Sequence, residues 1–211
     1  MTILNLLSSS LGQKGNDANI ILARQIALSE NHEAVKELVE NLKDKNKKIL
    51  GDCIKTLYET AYLKPAMIAD YFSDFLDLLT GKNNRLVWGG MISLMTITDI
   101  RSKEIFDSLD LIMKTVNSGS VITIDCGVEI LAGLNKYSEY FDTTDPLLAE
   151  QLWKCPIKQL PMYAEKSLIS INHKNRDIYQ SILVNRLAEC EKDSQTKRIE
   201  KVLRRLDDLV N

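Results

Sequence analysis

One offset constrains this sequence more than any other feature: its chemistry recurs every 37 residues. Leu57, Leu94, Leu131 and Leu168 share that spacing, as do Leu50, Val87, Ile124 and Pro161, and Leu42, Leu79, Val116 and Trp153. Leu38, Phe75, Ile112 and Ala149 form another column. Ile54, Met91 and Val128 form one that Glu165 ends. Turn residues keep the same offset (Asn46, Asn83, Ser120), and so do small ones (Cys53, Gly90, Gly127, Ala164). A fixed period of this length marks a chain built by repeating one supersecondary unit.

Each unit reads as a helical hairpin. The first helix, A, carries Val35, Leu38, Val39 and Leu42 in one copy, then Phe72, Phe75, Leu76 and Leu79, then Leu109, Ile112, Met113 and Val116. The i, i+3, i+4, i+7 spacing gathers these groups on one stripe. A short polar turn follows, and then a second helix, B, that is apolar nearly all round: ILGDCIKTLYETA, LVWGGMISLMTI and ITIDCGVEILAGL. Breaks between repeats fall at Lys64-Pro65, Asp99 to Ser102, Asn135 to Ser138 and Asn172 to Asn175, and Pro65 and Pro146 suit the first turns of A helices. Nine glycines and four prolines are too few for the many turns of an all-β chain.

The expected layout is one domain over residues 1–211: a partial cap (1–31), repeats at 32–64, 65–101, 102–138 and 139–175, and a C-terminal cap (176–211). That makes about five helix pairs with degenerate ends. One repeat offers roughly eight large apolar side chains at about 1.5–3 kcal/mol each. Ordering its backbone costs about 1–2 kcal/mol per residue, so burial must come from stacking hairpin on hairpin. In-helix glycines cost about 1 kcal/mol against alanine, so Gly89, Gly90 and Gly127 need close helix approach to justify them.

These patterns resemble HEAT repeats of the armadillo/HEAT class. Leu86-Val87-Trp88-Gly89-Gly90-Met91-Ile92-Ser93-Leu94 and Ile124-Asp125-Cys126-Gly127-Val128-Glu129-Ile130-Leu131 are similar to that family's B-helix motif. Asn46, Asn83 and Ser120 stand where the family has its turn Asp. Gly51, Trp88, Asp125 and Met162 stand where it has the following Arg, so its Asp–Arg ladder is missing at those positions. The resemblance implies an all-α, right-handed α-α superhelix whose B helices line a concave face. A long concave surface of that kind suits a protein or peptide partner, so the expected function is a non-enzymatic scaffold that binds one there.

On that reading the outward B-helix positions are Lys48, Asp52, Lys55, Arg85, Trp88, Ile92, Asp125, Glu129, Met162, Tyr163 and Lys166. Trp88, Met162 and Tyr163 would be apolar anchors, since aromatic groups often dominate binding energy. Lys55 and Glu129 would set orientation. An alternative reading takes Trp88 and Asp125 as the aromatic–acid pair of a HEAT-like alkylpurine DNA glycosylase. That activity needs a basic groove, whereas the net charge is −2 and each internal repeat lies between +1 and −2.

No other chemistry stands out. His32 and His173 stand alone, no two cysteines form a CxxC pair, and GQKG at 12–15 lacks the Lys-Ser/Thr of a phosphate loop. The sequence therefore predicts neither a metal nor a cofactor. No apolar run reaches about 18 residues, and no basic stretch precedes the first apolar residues. The expected setting is a reducing cytoplasm with four free thiols, with a homo-oligomer left open.

Overall fold

The structure, a computed structural model, describes residues 2–210. Those residues form twelve α-helices joined by turns and short 3-10 segments, with no strand among them. The helices are α1 (Asp17–Ser29), α2 (His32–Glu40), α3 (Lys47–Leu63), α4 (Phe72–Leu78), α5 (Asn84–Thr96), α6 (Ser102–Asp107), α7 (Leu109–Ser118), α8 (Val121–Leu134), α9 (Ser138–Lys154), α10 (Leu160–Ser167), α11 (Arg176–Leu187) and α12 (Asp193–Asp207). The chain divides into two compact units, Met1–Cys126 and Gly127–Asn211.

In the first unit the B helices form a row, α3 packing on α1 and α5 on α3. The A helices α2 and α4 pack on α3 and α5. The turn columns set where each B helix begins. Asn46 Oδ1 accepts from the Lys48 N–H at 3.0 Å, and Asn83 Oδ1 accepts from Arg85 at 3.1 Å. Each side chain satisfies a backbone donor that the first helical turn leaves without a partner. Asn31 caps α2 in the same way, accepting from Ala34 at 2.9 Å. Lys64 leaves the helical region because Pro65 follows it, and α3 stops there. Pro65 then opens a 3-10 turn, Pro65–Met67, ahead of α4.

The paired glycines of α5, Gly89 and the small-column Gly90, are packing devices. A Cβ on Gly89 would overlap Ile54 Cγ1 of α3, and one on Gly90 would lie 2.9 Å from the Phe75 carbonyl of α4. Glycine lets α5 approach both neighbours, and Ile54, Phe75 and Met91 are buried at that crossing. The A helix of the third repeat is broken at Ser108 into α6 and α7, and Leu109, Ile112, Met113 and Val116 supply its buried stripe.

In the second unit α9 packs on α10 and α11, and α12 packs on α10 and α11. First helix lies on first helix and second on second. A buried polar hub ties the repeats. Asp145 Oδ1 accepts from Asn135 Nδ2 at 2.9 Å, Asn175 Nδ2 at 2.7 Å and the Tyr179 hydroxyl at 3.0 Å. Burial, then the adjacent Asp145 carboxylate, pushes the Tyr179 phenol well above its ordinary range. Arginines cap helix ends: Arg186 Nη1 donates to the Leu152 and Cys155 carbonyls, each at 2.8 Å, where α9 ends. Cations at helix C-termini also complement the helix dipole.

Two expectations fail in this unit. Pro146 does not begin an A helix; it lies inside α9, which starts at Ser138. Its missing N–H leaves the Asp142 carbonyl without the usual partner, and Asp142 is exposed, so water can replace that bond. Trp153 extends a buried column (Leu42, Leu79, Val116) in sequence, yet it is 55% exposed.

Candidate functional site

The residues expected to face outward from the B helices divide between the two units. In the first unit Lys48 and Arg85 are exposed, and Lys55, Trp88, Ile92 and Asp125 are half-buried. In the second, Glu129, Met162 and Lys166 are half-buried. Tyr163 is 1% exposed, so it is a core residue and no surface anchor. The helix turn that puts Met162 at the surface carries Tyr163 inward, the rotation per residue being about 100°.

Asp52 is also buried, and for a specific purpose. Its Oδ2 accepts from the Ser9 N–H at 2.8 Å, and its Oδ1 lies 3.4 Å from Arg85 Nη2. Arg85 Nη2 also donates to Asn16 Oδ1 at 3.3 Å, so α5, α3 and the segment before α1 are joined through one guanidinium. That guanidinium lies over Gly51, where a Cβ would stand 2.8 Å from its carbon. Gly51 keeps its place in the Trp88 column because the arginine of the next repeat occupies the space.

The other charges are similarly engaged. Lys55 pairs with Glu59 at 2.6 Å, and its ammonium lies 4.7 Å from the centre of the Tyr58 ring. Burial pulls the Lys55 ammonium down, but its bonds to Glu59 and Tyr58 outweigh that and hold it above its ordinary value. Tyr58 meets Tyr62 edge to face at 6.2 Å. Lys166 pairs with Glu129 one period earlier. Arg198 forks onto Glu165, Nε to Oε1 at 2.8 Å and Nη2 to Oε2 at 2.6 Å. Arg198, through its hydrogen bonds, holds the Glu165 carboxyl below the usual range. Beside this pair a cleft of about 360 Å³ is lined by Glu165, Leu168, Lys201, Val202 and Arg205.

A carboxylate on one B helix therefore reaches a cation on the next at Asp52–Arg85, Glu129–Lys166 and Glu165–Arg198. These cross-helix pairs lie outside the columns of Asn46, Asn83 and Ser120 and of Gly51, Trp88, Asp125 and Met162. Sequence reasoning missed Glu59, Glu165 and Arg198. The usable signals were the i, i+4 spacing of Lys55 and Glu59 and the 33-residue spacing of Glu165 and Arg198, opposite charges that a search for columns of like chemistry passes over.

Cys53 and Cys155 are not set up as nucleophiles. Burial pushes Cys53 up to about 12 and also raises Cys155, the opposite of what a reactive thiolate needs. Among the described residues no three His, Cys, Asp or Glu side chains gather as metal ligands, and His32 and His173 are exposed. No helix among them is long and apolar enough to cross a membrane.

No family model matches the chain, and no curated protein is similar enough to count as a relative.

Proposed function

We propose that this chain is a non-enzymatic scaffold of the HEAT type, its helix pairs winding as a right-handed α-α superhelix, and that it binds a protein or peptide on its B-helix face in the cytoplasm. The observation that carries the reading is the pairing of half-exposed apolar groups with fixed charges. Trp88 and Ile92 lie one turn apart on α5, near the Arg85–Asp52 pair, and Met162 lies one turn from Lys166 and its partner Glu129. Apolar anchors rimmed by ordered charges suit a folded partner or an amphipathic peptide. The cations Lys55, Arg85, Lys166 and Arg198 are each matched by a carboxylate, and residues 65–175 carry a net negative charge, which favours this reading over a glycosylase that must hold a polyanion. Four free thiols fit a reducing compartment.

The test is affinity capture from source lysate with the native chain, a Trp88→Ala/Met162→Ala variant and a Trp153→Ala control. The reading expects partners retained by the native chain and the control and lost with the double variant, while its helical circular dichroism is unchanged. Equal capture by all three contradicts it.

A further inference from the structure

The two helices α1 and α12 treat solvent differently. A helix at the edge of a repeat stack needs a polar outer face to remain soluble. α12 has one: Lys197, Arg198, Lys201, Arg204, Arg205 and Asp207 are exposed while Ile199, Val202 and Leu206 are buried. α1 buries Leu22, Ala23, Ile26 and Ala27 and packs on α3, yet presents a second stripe, Asp17, Ile21, Arg24 and Leu28, to solvent. Ile21 is 56% exposed and Leu28 87%. Leu63 at the end of α3 is 55% exposed, and it lines with Ala27, Leu28, Arg24 and Lys64 a hollow of about 560 Å³. Isolated exposed leucines are ordinary, but an apolar stripe beside an apolar hollow marks an interaction surface.

We propose that this face of α1 is a homodimer interface, in which the α1 helices of two copies pack antiparallel about a two-fold axis. The charge pattern selects a second copy. Asp17 and Arg24 stand seven residues apart on one face, about two turns and 10 Å along the axis. That distance is too great for them to pair within the helix. Neither has an ion-pair partner among the described residues. A two-fold contact must be self-complementary, each residue meeting a different residue of the other copy. A parallel arrangement would set Asp17 against Asp17. The antiparallel one, with its axis beside Leu22 and Ala23, sets Asp17 of each copy opposite Leu28 of the other and about one turn, ~6 Å along the axis, from Arg24, whose long side chain spans that offset; it also opposes the helix dipoles. It sets Ile21 of each copy opposite Arg24 of the other, at the edge of the hollow that Arg24 lines with Leu28 and Leu63. Lys64 is already held by Glu30, so the rim adds no unmatched cation. A single 13-residue helix supplies a small contact, at the low end of stable interfaces at about 1,200 Å² in total or less, so association should be weak and concentration-dependent.

Sedimentation velocity of the full chain, over roughly a hundredfold range of concentration, tests this with four variants. The native chain is expected to pass from monomer to dimer. Leu28→Lys, at a solvent-exposed position, should remain monomeric with unchanged circular dichroism. Asp17→Arg and Arg24→Asp should each weaken association about tenfold or more, and the double exchange should restore it to within a few-fold of native. Rescue by the double exchange identifies contact between copies, because the two positions cannot touch within one helix. A native chain that stays monomeric throughout, a dimer indifferent to Leu28→Lys, or a double exchange no better than the single ones would overturn the proposal.

Discussion

Glu129 of α8 and Lys166 of α10 stand 37 residues apart in the chain and meet as an ion pair. The repeat period seen in the sequence is thus also a distance in space: residues one period apart adjoin in successive B helices. Ile54 against Gly89, and Asp52 against Arg85, express the same stacking in the first unit with offsets a few residues shorter.

Gly89 should resist even the smallest enlargement. Alanine is worth about 1 kcal/mol over glycine in a helix interior, but its Cβ would overlap Ile54, and overpacking costs about 1–3 kcal/mol. Urea unfolding should therefore show Gly89→Ala destabilised, with Gly89→Ala/Ile54→Ala recovering part of the loss relative to the sum of the single changes. A stabilised Gly89→Ala would show that α3 and α5 do not approach this closely.

The Asp145 hub should behave as a unit. Asp145→Ala strands the Asn135 and Asn175 amides and the Tyr179 hydroxyl without their shared acceptor, an expected loss of about 3–5 kcal/mol. Tyr179→Phe removes one donor and leaves the carboxylate two others, so about 1–2 kcal/mol is expected. Equal and small effects in urea unfolding would place the network outside the cooperative core.

Stability should fall at both ends of the pH range. Glu165 titrates lower in the folded chain than in the unfolded one, so its contribution is complete above the ordinary carboxylate range and is lost as pH falls below about 4–5. Glu30 and Glu189, lowered by Lys64 and Arg186, act in the same direction. Cys53 is raised to about 12, so its contribution is complete below the ordinary thiol value of about 8.5 and is lost as pH rises through that range toward 12. Tyr179, raised by burial and then by Asp145, adds to the alkaline loss above about pH 10. Melting temperatures measured across pH should form a dome, and Arg198→Ala should flatten its acid side while Cys53→Ala flattens its alkaline side.

Thiol labelling at neutral pH should separate the cysteines by burial. Cys190 is half-buried, whereas Cys53, Cys126 and Cys155 are buried. Ellman's reagent should modify Cys190 first and the other three at the rate of opening of the fold. Prompt reaction of all four would show that the repeats are loosely packed.

The helical architecture was legible because spacing alone carries it. Columns of like chemistry located α2, α3, α5 and α8, and the turn column marked the caps that Asn46 and Asn83 provide. Individual faces were harder to read where a column mixes residue types. Asp52, Gly89, Cys126 and Tyr163 share one column and all are buried, yet their chemistry gives no common signal. Trp153 failed for the reverse reason, an apolar residue continuing an apolar column while standing in solvent. The charged pairs between B helices were invisible because each joins two unlike residues from different repeats. The Pro146 expectation failed because a helix can pass through proline where the freed carbonyl faces water.

Stacked hairpins in a 37-residue register are the basis of everything proposed for this chain, and zero-length carbodiimide coupling of the native protein tests that register most directly. The reagent joins carboxylates to amines already in contact, so peptide mass spectrometry should find Glu129 linked to Lys166 and Glu30 linked to Lys64, both lost in urea. Coupling confined to pairs within one helix, such as Lys55–Glu59 and Lys103–Asp107, with neither long-range link formed, would contradict the stacking.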